Sequence, residues 1–174
     1  MKRIIVLYQS ETGFTKQYAD WIGEELECEV LDIKDNPEIY LPDYDCAIYG
    51  GWIMGNGLVG YNKISNIGAK NVVLFGVGAS GNNEELRKKL IEYNKIGDTP
   101  FFYMQGGFRF EKLGFFKRMM LKMVRKSLEK KVGITESEAE MIMMLSESSD
   151  RSDRKYIDEL VSYVRKNYLE ELQP

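Results

Sequence analysis

Short apolar runs alternate along this chain with stretches whose apolar residues recur every three or four positions. That alternation predicts the strands of a parallel sheet covered by helices on both faces. The runs are residues 3–8, 29–33, 45–49, 71–77 and 100–105. Helical spacing follows over about 15–26, with Tyr18, Ala19, Ile22 and Leu26 on one face, over a weaker stretch ending near 67, over 83–93, and finally over about 152–168. The polar loop leaving each strand should reach the same edge of the sheet.

One segment, about 106–148, does not fit this alternation and reads as a helical insertion after the fifth strand. Within 113–131, Phe116, Met119, Met120, Met123 and Val124 form one helical stripe, and Arg118, Lys122, Arg125 and Lys126 form another. Thr135 and Glu138 have the spacing of a capping box opening a Met-rich helix. Net charge is only −3, yet residues 106–133 hold nine basic and two acidic side chains, a local +7 against −10 for the rest. Two readings of the stripe stand. It packs on the end of the sheet with its cations solvated, or it meets an anionic membrane surface or an acidic flat substrate.

At 174 residues the chain is expected to form a single domain, 1–174. There is no histidine, so imidazole triads, His-ligated zinc and His-held haem are excluded. Cys28 and Cys46 form no C-x-x-C pair and read as reduced, buried thiols, and no metal site is expected. The apolar start is too short for a signal peptide or a membrane span, so a cytoplasmic location is expected, with the insertion 113–131 as a peripheral contact to the inner face of the membrane. Nothing suggests a nucleic-acid partner.

Ser10-Glu11-Thr12-Gly13-Phe14-Thr15 lies directly after the first strand and before a helix. Backbone amides at such a helix start, with three hydroxyls converging on them, suit a phosphate dianion. One cap residue would serve the helix alone. No G-x-x-x-x-G-K-[ST] occurs, which argues against a triphosphate cradle. Gly76-Val77-Gly78-Ala79-Ser80-Gly81 satisfies the dinucleotide pattern G-x-G-x-x-G, but the next strand ends Tyr103-Met104-Gln105, without the acidic residue that a ribose hydroxyl requires.

The first loop resembles that of flavodoxins, which hold the phosphate of flavin mononucleotide (FMN) on Ser/Thr-x-Thr-Gly-x-Thr; Ser10, Thr12, Gly13 and Thr15 match each required position. Met54-Gly55-Asn56 resembles the Met-Gly-Asp that contacts the isoalloxazine in short-chain members. The resemblance covers about 1–105 and the last helix. It implies a flavodoxin-like doubly wound five-stranded parallel sheet, order 2-1-3-4-5, with FMN as cofactor. The implied FMN site comprises Ser10, Glu11, Thr12, Gly13, Phe14 and Thr15, then Gly51, Trp52, Ile53, Met54, Gly55 and Asn56, then Gly78, Ala79, Ser80, Gly81 and Asn82. Trp52 either stacks on the ring or packs on its own domain. Electron-carrier flavodoxins usually place an aromatic residue in the fourth-strand loop; here the residues are small, which leaves one flavin face open to a flat substrate or quinone.

Residues 106–110 and 116–124 resemble the insertion of the menaquinone-dependent protoporphyrinogen oxidase group, except that Lys117 stands where an Asp is usual and the likeness fades after Lys131. Arg109 is the residue expected to pair with a substrate carboxylate. The leading expectation is an FMN-dependent oxidoreductase with a quinone or redox-protein acceptor. No side-chain acid or base is assigned. A basic surround favours two-electron reduction with little one-electron-reduced flavin. The alternatives are an electron carrier whose basic helix docks an acidic redox protein, and an interaction module that has lost its flavin.

Overall fold

The computed structural model describes residues 2–36, 38–39, 41–64, 68–145 and 148–169. β1 (Ile4–Gln9) leads through a tight loop into α1 (Phe14–Leu26) and back to β2 (Glu29–Asp32). β3 (Cys46–Met54) turns into the two-residue β4 (Gly57–Leu58), followed by the one-turn α2 (Tyr61–Ile64). β5 (Val72–Gly78), α3 (Glu84–Tyr93) and β6 (Phe101–Gln105) complete the sheet. Its strands run parallel in the order β2-β1-β3-β5-β6, with β4 antiparallel to β3 at its end. Without β4 this is the expected 2-1-3-4-5 order of a flavodoxin-like α/β fold.

The central strands are apolar throughout because both their faces are buried. Ile4, Val6 and Tyr8 join Cys46, Ile48, Val73, Phe75 and Val77 in a core beneath α1 and the C-terminal helix. Ile5 and Leu7 join Ala47, Tyr49 and Leu74 in the opposite core. A period of two divides each strand between the cores, so a one-residue slip would invert every contact. On α1, Phe14, Tyr18, Ala19, Ile22 and Leu26 form the stripe that closes the first core.

The strand boundaries differ little from the sequence pattern except at β3. The pattern predicts a strand over 45–49 followed by a loop, whereas β3 continues to Met54 and pairs back with β4. Glycines conceal this extension in the hydropathy pattern: Gly50 packs against the ring of Phe75 and Gly51 against Leu58 and Val59. The weak helix after it is seen as α2; residues 65–67 lie outside the described residues.

The insertion leaves β6 through β7 (Gly107–Phe108), runs through α4 (Phe115–Glu129) and α5 (Glu136–Met144), and returns through β8 (Ser149–Asp150), which pairs antiparallel with β7. The capping box at Thr135 and Glu138 is present, each side chain bonded to the other's backbone amide. The stripe on α4 does not pack on the sheet: Phe116 is 78% exposed and Met123 66%. A 3-10 turn (Arg154–Ile157), α6 (Asp158–Val164) and a wider turn (Arg165–Leu169) end the fold. Cys28 and Cys46 are free thiols, Cys46 buried as expected and Cys28 only half-buried just past the end of α1.

Candidate functional site

Strand register brings the candidate loops to one edge. Gln9 pairs with Gly51, Gly51 with Gly76, and Gly76 with Tyr103, so the carboxyl ends of four strands finish in one row. The chain reverses direction across the sheet between β1 and β3, and the crevice at such a switch point is where doubly wound folds bind ligands. The cavities among the described residues that are lined by Arg3, Glu27, Cys28 and Tyr44, or by Lys16, Asp20 and Glu24, lie away from this edge.

The first loop is built around Gly13. It caps α1 at φ +97°, a left-handed conformation that costs a side chain dearly, and its amide donates to Ser10 Oγ at 3.1 Å. No side chain caps α1 and its first turn has no acidic residue, so the positive end of the helix faces the loop. Among the described residues Thr15 is the buried polar one, 1% exposed. The Phe14 ring is buried in the core on the inner face of α1, so a ligand at the loop would meet its backbone.

Cations surround this loop. Lys34, just beyond β2, donates from Nζ to the carbonyl of Ser10 at 3.4 Å. Arg109 lies with its guanidinium 4.0 Å from the centre of the Phe14 ring, with Nη1 3.5 Å from the Thr12 carbonyl and Nη2 2.9 Å from Asp150 Oδ2. Burial pushes the Asp150 carboxyl up, but hydrogen bonds from Ser152 and the Arg109 partner outweigh it and hold the group below the usual range. Arg109, the residue expected to pair with a substrate carboxylate, stands beside the Ser10–Thr15 loop and is paired with Asp150. The reason is topological: the β7–β8 pair turns the chain back across α1.

In the β3–β4 hairpin, the alternation of the strand divides the candidates. Gly51 and Ile53 face the hairpin core, where a Cβ on Gly51 would meet Val59 O at 2.4 Å. Trp52 and Met54 lie on the other side; Met54 is 63% exposed, and Trp52 has a buried indole N–H without an acceptor. Gly55 makes the turn at φ +62°. Asn94, at the end of α3, was not foreseen. Its side chain accepts from the Leu58 amide and donates to the Asn56 carbonyl, each at 2.7 Å, and so fixes the hairpin.

The β5 loop is tied to β6 through its carbonyls. Gly106 N donates to Gly78 O at 2.8 Å, Gln105 Nε2 to Ala79 O at 3.4 Å and Tyr103 Oη to Ser80 O at 2.8 Å, while Asn82 Nδ2 donates to Tyr103 O at 3.4 Å. Tyr103 is also a residue the sequence reading missed; only the strand pairing reveals it. Its buried hydroxyl is pushed well above the ordinary tyrosine range by desolvation. Ser80, Gly81 and Asn82 are exposed, and no aromatic side chain rises from the loop.

The site's chemistry fits a flavin phosphate ester: an uncapped helix start, three hydroxyls, cations around the loop, and an unpartnered buried donor on Trp52 together with an unpartnered acceptor, Gln9 Oε1, at the same edge. Sheet order, switch-point loop and crossover helices define a protein of the doubly wound α/β class. The model of the flavodoxin domain family matches residues 5–134, and the chain belongs to that family. A flavoprotein from Lactobacillus acidophilus, solved in complex with FMN, is 17% identical over 60% of this chain and 93% of its own, with a TM-score of 0.43. Oxidised flavodoxin 2 from Bacillus cereus is 20% identical over 58% and 84%, TM-score 0.37, and a flavodoxin from the domain Archaea is 19% identical over 71% and 97%, TM-score 0.41. No curated protein matches the chain. Among the described residues, no cluster of side chains suits a metal ion and no helix is long and apolar enough to cross a membrane.

Proposed function

We propose that this edge holds FMN and that the protein is an FMN-dependent oxidoreductase delivering electrons to a quinone or a redox protein. The supporting observation is the start of α1, where Gly13 at positive φ donates its amide to Ser10 Oγ and no side chain caps the helix, in a turn whose sequence also carries Thr12 and Thr15. FMN, when bound, supplies the redox chemistry. The residues supply position. Ser10, Thr12 and Thr15, with the backbone from Glu11 to Phe14, hold the phosphate; Trp52, Met54, Gly55 and Asn56 and the loop Gly78 to Asn82 border the ring. The small residues of that last loop leave space for a flat partner. Quenching of FMN fluorescence by the purified protein, saturating at micromolar levels or below, is the expected result. A colourless protein that quenches nothing would leave a bare flavodoxin fold without its cofactor.

The partner we assign to the insertion is an anionic lipid surface, where a quinone acceptor resides. In support, Phe115, Phe116, Met119, Met120 and Met123 are exposed on a helix that also carries Arg118, Lys122, Arg125 and Lys126. Large apolar side chains in water next to a dense positive charge match the headgroup boundary of an anionic leaflet. Sedimentation with vesicles containing phosphatidylglycerol, but not with pure phosphatidylcholine, is expected. Binding to neither, or a concentration-dependent dimer, would replace the membrane with a protein partner and favour the carrier. The finer reading, oxidation of protoporphyrinogen with menaquinone, rests on the likeness of 106–124 alone; turnover of that pair by the FMN-loaded protein tests it.

A further inference from the structure

We infer that Arg109 and Lys112, both from the insertion, are charge partners of the ligand phosphate, so that the insertion makes the site selective for the phosphorylated flavin. The inference rests on the FMN reading and extends it to residues that the family's loop motif does not include. A Cβ on Gly13 would stand 3.3 Å from Arg109 Nη1 and 3.7 Å from Lys112 Nζ, so both cations reach the space above the residue that opens α1. Arg109 is held there from several sides. Asp150 fixes one nitrogen, Gln17 Oε1 lies 3.4 Å from the same nitrogen, and the Phe14 ring supports the guanidinium plane. Among the described residues its Nη1 makes a long contact to the Thr12 carbonyl, 3.5 Å, which a phosphate oxygen would replace with a stronger bond.

The base of the insertion accounts for this aim. A Cβ on Gly107 would lie 1.9 Å from the carbonyl oxygen of Ser149 and 2.8 Å from Phe14 Cζ. Only glycine lets β7 lie this close to β8 and to α1, and two residues later the chain places Arg109 over Phe14. The Asp150 carboxylate holds Arg109, and Glu111, which accepts from Ser148, lies near enough to both cations for their charge to lower its carboxyl. A dianion seated on the helix amides would add attraction that neither carboxylate supplies at the loop.

The test compares FMN with riboflavin, which shares the ring and lacks the phosphate, on the full-length protein at low and at physiological salt. Arg109→Gln is expected to weaken FMN about ten- to a hundredfold, as for the loss of a charge-assisted hydrogen bond, and to leave riboflavin within about twofold. Lys112→Gln, an exposed position whose change does not threaten folding, should weaken FMN about threefold to tenfold and flatten its salt dependence. Arg109→Lys should recover part of the loss, since it restores charge without the fork. Equal losses for FMN and riboflavin, or no loss from either variant, would overturn the inference while leaving the FMN site intact. Failure of the wild-type chain to bind FMN at all would remove both.

Discussion

The hydroxyl of Tyr18, in the middle of α1, donates to the carbonyl of Gln105 at 2.5 Å, at the last residue of β6. The same oxygen accepts the amide of Asp153 at 3.1 Å, where the chain returns from the insertion. One buried side chain thus ties the helix that follows the Ser10–Thr15 loop to both ends of the inserted segment. Tyr18→Phe removes the donor and the acceptor and leaves two backbone groups to find other partners. It should destabilise the fold by about 1–3 kcal/mol in urea titrations and loosen the insertion, seen as faster proteolysis between 106 and 150. Unchanged stability and proteolysis would show that the bond constrains nothing.

Gly13→Ala places a methyl group at φ +97° within 3.3 Å of Arg109 Nη1. The backbone strain alone should cost about 1–2 kcal/mol of stability. FMN affinity should fall by more than about tenfold, because the added carbon occupies the space expected for a phosphate oxygen. Isothermal titration alongside thermal melts separates the two effects.

The exposed stripe of α4 should be expendable for folding. Replacing Phe116, Met119 and Met123 together by Ser removes side chains that are 78%, 46% and 66% exposed, so stability should change by no more than about 0.5 kcal/mol per site. Binding to phosphatidylglycerol vesicles should fall at least about tenfold. A large loss of stability instead would mean that the stripe packs on the protein in solution.

Alkaline pH should unfold the protein through its cysteines. Burial pushes the Cys46 thiol from 9.0 up to about 12 and the Cys28 thiol to about 11. Both thiols stay protonated in the fold at pH values where the unfolded chain ionises. Their contribution is therefore complete below pH 9 and lost as pH rises from about 9 towards 11 and 12, at up to about 1.4 kcal/mol per pH unit for each thiol. Urea midpoints measured from pH 7 to 10.5 should decline above 9, and Cys46→Ala should flatten part of that decline. An equal slope in the variant would assign it to the buried tyrosines, Tyr18, Tyr49 and Tyr103, which burial also raises.

The order of strands and helices, the tight loop from Ser10 to Thr15 between the first strand and helix, and the presence of an insertion followed from the sequence alone. Each leaves a local record: apolar runs where both sheet faces are buried, a period of 3.6 where a helix covers them, and hydroxyls and glycine at one turn. Tertiary pairing decided the rest. β3 continues past Tyr49 because β4 folds back on its glycines. Asn94 and Tyr103 matter because the hairpin and the β5 loop lie on them. Arg109 stands over Phe14 because two residues of β7 pair with two of β8. Hydropathy along a chain reports how deeply each position is buried; which distant segments meet is a property of strand register and close backbone approach, and only the folded chain expresses it.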